Sequence, residues 1–244
     1  MRLDQAVADR NPEISRRKAR ELIALKRVFV NDRPVGVASR EVSERDRITI
    51  AEELPDLTII RETKDWVAID KPSGMPTQPS RDRRQRSLEE LLRSRFGMIY
   101  LIHRIDTQTS GVVVFAKTRS AAADLSRLFA ARSVGKTYLA IAEGAIERDL
   151  TIDTPIGGKS AYTIARPIRR FDRTTLLEAE ILTGRTHQIR IHLSSLGHPV
   201  VGDRRYGSTM TAPRMLLHAW KLRHPYFGGD LVAPVPGDFP AAIA

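Results

Sequence analysis

Three short runs place polar side chains where the surrounding pattern implies rigid strand or helix. They are His103-Arg104-Ile105-Asp106-Thr107-Gln108-Thr109-Ser110-Gly111, Lys136-Thr137-Tyr138-Leu139-Ala140, and Gly184-Arg185-Thr186-His187-Gln188-Ile189-Arg190-Ile191-His192. Asp106 stands in a turn directly ahead of an apolar run, so it is a candidate nucleophile or general base. Arg190, on the flank of a helix, is a candidate counter-ion that favours the ionised carboxylate. Spacing alone leaves a second reading open, in which Asp106 caps a turn and the arginines make structural ion pairs. His187 and His192 match no common zinc spacing and have no acidic residues clustered beside them, so no metal and no cofactor is expected. His103 and His187 are expected to orient the loop by hydrogen bonds.

The elements that must hold these runs can be read from periodicity and turn chemistry. In the longer part of the chain that holds these runs, strands are expected at Trp66–Ile69, Val112–Ala116 and Lys136–Ala142, with alternating stretches at 161–168 and 174–182. Helices are expected at 88–96, at 120–132 with Leu125, Leu128 and Phe129 on one face, and in a short segment between a Thr186 cap and a Gly197 stop. Ile189, Leu193 and Leu196 should form the apolar side of that last helix. Ahead of this lies a small charged unit, with Ser15 capping a helix to about Lys26. Its apolar stripe is Ala19, Leu22 and Ile23, and its basic face carries Arg16, Arg17, Lys18 and Arg20. Strands at 28–30 and 47–50 join through a turn at Asn31-Asp32-Arg33-Pro34. The pattern predicts an α+β or mixed α/β fold with domains at 1–53 and 59–244, a linker at 54–58, and a basic loop at 80–86 holding Arg81, Arg83, Arg84 and Arg86.

The 244 residues carry 40 Lys and Arg against 29 Asp and Glu, a net charge of +11, with arginine well ahead of lysine. That surplus points to a polyanionic partner, because the planar guanidinium clamps phosphates and stacks on bases. The absence of cysteine removes disulfides, thiolate nucleophiles and Cys-ligated metals. With no apolar secretion signal and no apolar run longer than Val112–Ala116, a cytoplasmic protein is expected, with no membrane partner and as a monomer.

Arg2-Leu3-Asp4, Ser15-Arg16-Arg17-Lys18-Ala19 and Val28-Phe29-Val30-Asn31 resemble the S-four-type RNA-binding domain. Arg27 and Arg45 stand where that family usually has glycine. The three polar runs, with Asp70-Lys71-Pro72-Ser73-Gly74 before them and Gly197–Asp203 and Leu217-His218-Ala219 after, resemble the RluA-type pseudouridine synthase family over about residues 59–238. Ile105 replaces the usual leucine, and Thr77-Gln78 replace a Val-x-His segment, a change expected to affect RNA fit and leave the chemistry alone.

The resemblance implies a catalytic domain on a central, mostly antiparallel sheet with flanking helices, and an enzyme that isomerises uridine to pseudouridine in RNA. It implies Asp106 as the catalytic aspartate, acting as nucleophile on the base or the anomeric carbon or as a base on a ribose proton. It implies Arg190 as its partner and Tyr138 as the ring that stacks on the detached uracil and helps remove the carbon-5 proton. The target nucleotide must be flipped out of its helix, and Arg104 then fills the vacated stack. Arg185, Lys71 and His187 complete the substrate-binding candidates. Ribosomal RNA of the large subunit is favoured over transfer RNA, with affinity falling steeply as salt rises. The alternative is a non-catalytic RNA-binding assembly factor on a synthase scaffold.

Overall fold

Ser15 caps helix α2 (Arg16–Ala24) by accepting a hydrogen bond from the Lys18 amide at 3.2 Å. Ala19, Leu22 and Ile23 bury with Leu3, Ala6 and Val7 of α1 (Leu3–Arg10), a helix the sequence reading did not foresee. Strands β1 (Val28–Val30), β2 (Arg33–Val35) and β3 (Ile48–Ile50) form an antiparallel sheet in the order β2-β1-β3. Asn31 and Asp32 both take the left-handed backbone, φ 51° and 63°, which is the twist a two-residue hairpin turn requires. Arg33 and Pro34, expected in the turn, are therefore strand. Asp4 is fully buried and accepts from the Nε atoms of Arg20 at 2.7 Å, Arg16 at 3.1 Å and Arg2 at 3.2 Å. Burial alone would raise its pKa, but the three guanidiniums hold the carboxyl well below the usual carboxylate range. Half of the expected basic face of α2 is thus folded back onto one acid.

This computed structural model describes residues 1–50, 57–80 and 85–240. It divides the chain into Met1–Pro55 with Pro79–Arg86, and Asp56–Gln78 with Ser87–Ala244. Most of the linker expected at 54–58, and Arg81, Arg83 and Arg84 of the basic loop, lie outside the described residues.

The second unit is built on ten strands: β4 (Thr58–Glu62), β5 (Trp66–Lys71), β6 (Tyr100–Leu101), β7 (Ser110–Ala116), β8 (Gly135–Glu143), β9 (Leu150–Ile152), β10 (Thr163–Arg170), β11 (Thr174–Ile181), β12 (Leu217–Arg223) and β13 (Leu231–Val232). Their order is β4-β5-β7-β12-β8-β11-β10-β9, with β6 on β7 and β13 on β12. Only the β7–β12 pair is parallel among the described residues. Every residue of β7 is buried, as its continuous apolar run implies for a strand covered on both faces. Helix α4 (Arg119–Ala130) packs Ala121 and Leu125 with Trp66, Ala68, Val112 and Val114 on one face. Helix α5 (Gln188–Ser195) packs Ile189 and Leu193 with Ala140, Leu177 and Leu217 in a separate core cluster. Helix α3 (Leu88–Phe96) opens with a reciprocal capping box between Ser87 and Glu90.

Two expectations about α5 are corrected. His187, not Thr186, is the cap, and it sits in the left-handed region without a side-chain capping bond. Leu196 is exposed, because the helix ends at Ser195 before that position can turn inward.

Candidate active site

Asp106 lies in the connection from β6 to β7, and its turn is closed by the Thr109 amide donating to the Asp106 carbonyl at 3.0 Å. The segment leaving β5 supports this loop from behind. The Gly74 amide donates to the Thr107 carbonyl at 2.8 Å, and Ser73 Oγ donates to the Gln108 carbonyl at 2.6 Å. Lys71 has no exposed surface, and its ammonium donates to the carbonyls of Met75 (2.7 Å), Pro72 (2.8 Å) and Thr107 (3.1 Å). Lys71 was expected to touch substrate. With all three donors spent on backbone and no access to solvent, it is a latch for the loop instead. Burial pulls its pKa down to about 7, against the attraction of Asp106 and Asp70.

His103 anchors the other end of the same loop. Its Nε2 accepts from the Val114 amide at 3.0 Å, and its ring stacks on Phe129 with centroids 4.5 Å apart. Burial pulls its pKa down to about 3, which keeps the ring neutral and Nε2 free to accept. Gly111 explains why β7 can begin immediately after this loop. Its φ is +114°, and a Cβ there would lie 2.1 Å from the Ala219 carbonyl oxygen of β12.

Helix α5 supplies the partner. Arg190 is buried, and its Nη1 donates to Asp106 Oδ2 at 3.2 Å across 84 residues of chain. Its remaining fork is taken by Asp203, with Nε to Oδ2 at 2.6 Å and Nη2 to Oδ1 at 2.9 Å. The guanidinium carbon lies 4.9 Å from the centre of the Tyr206 ring. Burial would lower the arginine's pKa, but the bonds to Asp203 and Asp106 outweigh it and hold the group above its ordinary value. Among the described residues, Asp106 Oδ1 accepts no hydrogen bond.

His187 projects toward the same carboxylate from a left-handed backbone, φ 57° and ψ 25°. Its Nδ1 meets the Tyr206 hydroxyl at 2.8 Å and its Nε2 lies 3.7 Å from Asp106 Oδ2. Burial lowers its pKa, with Asp106 pulling the other way and Arg190 adding to the depression. The unusual backbone is held by Gln188, whose side chain accepts from Thr183 Oγ1 (2.7 Å) and the Arg185 amide (3.0 Å). Its Nε2 donates to the Tyr162 carbonyl at 2.9 Å. In the sequence Asp203 stands out only as the end of the flanking Gly197–Asp203 segment and Tyr206 not at all; the fold brings both to Arg190 and His187.

Tyr138 on β8 faces the same cavity. Burial drives its hydroxyl above its ordinary pKa, and the charge of Asp106 pushes the same way. A phenol so held stays protonated at neutral pH. The cavity is lined by Asp106, Tyr138, Ile181, Arg185, Arg190 and Leu217 among others. Apolar Ile181 and Leu217 thus share its wall with the charged Asp106 and Arg190. Arg104 is exposed on its rim, and Arg185 reaches it while its Nε donates to the Ser160 carbonyl at 2.9 Å. Beside it, a second hollow shares Asp106 and Arg190 and adds Arg204, Arg205 and Arg214. The structure thus brings Asp106, Tyr138, Arg190, Arg104, Arg185 and His187 together and leaves out Lys71. Among the described residues, no three His, Asp or Glu side chains gather as metal ligands, and no helix is long and apolar enough to cross a membrane.

Known proteins resemble this chain over both of its units. The RNA pseudouridylate synthase family model matches residues 65–195, and the S4 domain model matches residues 1–48. A ribosomal large subunit pseudouridine synthase D of Nitrosomonas europaea is 34% identical, covering 100% of this chain and 83% of that protein. One of the same name from Haemophilus influenzae is 30% identical over 98% of this chain and 89% of that one. Among solved structures, human RNA pseudouridylate synthase domain containing 1 superposes with a TM-score of 0.66 at 30% identity, covering 78% of this chain and 86% of that one.

Proposed function

The chain belongs to the RNA pseudouridylate synthase family and isomerises uridine to pseudouridine in RNA, and from that premise we propose large-subunit ribosomal RNA as its substrate and Asp106 as the reacting carboxylate. The Asp106–Arg190 pair at 3.2 Å, lining the same cavity as Tyr138, carries the assignment of the carboxylate. Two relatives named for the large ribosomal subunit, each matched over nearly the whole chain, support the substrate. The chain's own cytoplasmic site of action follows from that substrate, and residues 1–53 form the domain that grips structured RNA.

The reaction breaks the bond from ribose to N1 of uracil, turns the base, and joins ribose to carbon 5, whose hydrogen leaves as a proton while N1 gains one. Arg190 occupies Oδ2 of Asp106 and leaves Oδ1 with lone pairs for the uridine. The Tyr138 ring stacks on the uracil while it is detached, and its protonated hydroxyl donates to the base. Arg104, on the rim, fills the gap that the flipped nucleotide leaves, and Arg185 and His187 line the path to the carboxylate.

Tritium release from RNA labelled at carbon 5 of uridine tests this, because that hydrogen must be expelled. Release from 23S-type ribosomal RNA and not from transfer RNA by the parent, abolished in Asp106→Asn, is the expected result. Release only from transfer RNA would overturn the substrate. Tight binding with no release from either would favour the assembly-factor reading.

A further inference from the structure

One sequence departure bears on the chemistry in a way its position did not suggest. Thr77, in the connection from β5 to α3, is buried, and its Oγ1 donates to the Ile105 carbonyl at 2.7 Å. The same oxygen accepts from the Ile105 amide at 3.4 Å. Ile105 lies between β6 and β7, so no strand pairs its backbone, and among the described residues neither its N–H nor its C=O has another partner. Its side chain is also buried. One hydroxyl therefore satisfies both polar backbone atoms of the residue immediately before Asp106. A valine of the same shape would leave both buried and unpaired, which native structures seldom tolerate.

We infer that Thr77 is a positioning residue for the reaction: its hydroxyl fixes the Ile105 backbone, and with it the direction in which Asp106 presents its carboxylate to the uridine. The other side of Asp106 is already held, since Lys71 and the Gly74 amide both grip the Thr107 carbonyl. The loop is thus clamped on both flanks of the reacting residue, and between the His103 anchor and Asp106 it is Thr77 that holds the Ile105 backbone. Correct presentation matters because small displacements of a reacting group cost large factors in rate. The expectation that Thr77 bears on RNA fit alone is replaced: Thr77 lines neither of the two cavities beside Asp106 and meets the reaction through the backbone.

This inference rests on Asp106 as the reacting carboxylate, and the experiment separates the two. In the full chain, Thr77→Val, Thr77→Ala, Thr77→Ser and Asp106→Asn are compared by single-turnover tritium release at saturating ribosomal RNA, with affinity measured by filter binding well below each variant's melting temperature. Thr77→Val and Thr77→Ala are expected to slow the bound-state rate about 10-fold with unchanged affinity. Thr77→Ser, which keeps the hydroxyl, should return the rate to near that of the parent. The Ser and Ala variants both lack the methyl, so their ratio reads the hydroxyl alone even if the valine variant does not fold. Equal rates for Ser and Ala, or a loss confined to affinity, would overturn the role given to Thr77. Activity surviving Asp106→Asn would overturn the reading of Asp106 itself.

Discussion

Asp203→Asn isolates what a second carboxylate does for the reaction. Asn keeps the shape and one acceptor but removes the charge that meets the Arg190 fork at 2.6 and 2.9 Å in a buried setting. Arg190 sits between two carboxylates, and at an effective dielectric near 20 the gross attraction is roughly 5 kcal/mol toward each. With Asp203 neutral, only a weaker, uncharged hydrogen bond opposes the pull toward Asp106, so the fork turns to grip both oxygens of Asp106 and takes up the lone pairs left for the uridine. If about half of that attraction, about 2.5 kcal/mol, must be overcome to free the carboxylate, the single-turnover rate falls about 70-fold, since each tenfold step corresponds to about 1.36 kcal/mol. Breaking a buried pair also destabilises the fold by about 3 kcal/mol at the low end, because Asn retains a hydrogen bond. In a domain of this size that lowers the melting temperature by roughly 6–12 °C. Carbon-5 tritium release with RNA in excess reads the first effect and thermal melting the second. A melting point lowered as stated, with a bound-state rate within threefold of the parent, would show that Asp203 only supports the fold and would refute the reasoning about Asp106.

Two further outcomes follow from the framework that carries the site. Gly111→Ala should abolish folding or lower stability by more than about 3 kcal/mol, because its Cβ would lie 2.1 Å from the Ala219 carbonyl oxygen on a backbone at φ +114°; a parental melting curve would count against the close β7–β12 approach. Asp4 has a folded pKa below its unfolded value, so its stabilisation is fully present above about pH 4 and is lost as pH falls through the acid range toward the folded value. The melting difference between parent and Asp4→Asn should therefore be constant near neutrality and shrink below pH 4, and a difference that persists unchanged at pH 2 would contradict the arginine clamp.

The parts of the fold legible in the sequence are those where one physical signal dominates. The run Val112–Ala116 reads as a buried strand, and Ser15 and Ser87 sit where a hydroxyl caps a helix. Helix α1 was not legible because Asp4 stands on its buried face, and only the three arginines brought by the fold make a charge tolerable there. Strand β12 was not legible either. It buries His218 between apolar neighbours, so neither alternation nor a continuous apolar run marks it.

The same reasoning explains which site residues could be named in advance. Asp106, Tyr138 and Arg190 are proposed from side-chain types able to do the chemistry and from motif order, neither of which needs knowledge of distance. Lys71 was misassigned because a lysine is almost never fully buried, so a surface role is the natural inference; three backbone carbonyls converge on its ammonium only after the β5 exit and the catalytic loop fold together. Asp203 and Thr77 belong to the same class. Each acts on a partner, the Arg190 fork or the Ile105 backbone, that sequence pattern does not reveal, 13 and 28 residues away respectively. The reacting groups of this site are thus written in local residue types, whereas the orientation of those groups is set by long-range satisfaction of buried polar atoms, and it is there that an otherwise conservative change such as Thr77→Val becomes costly.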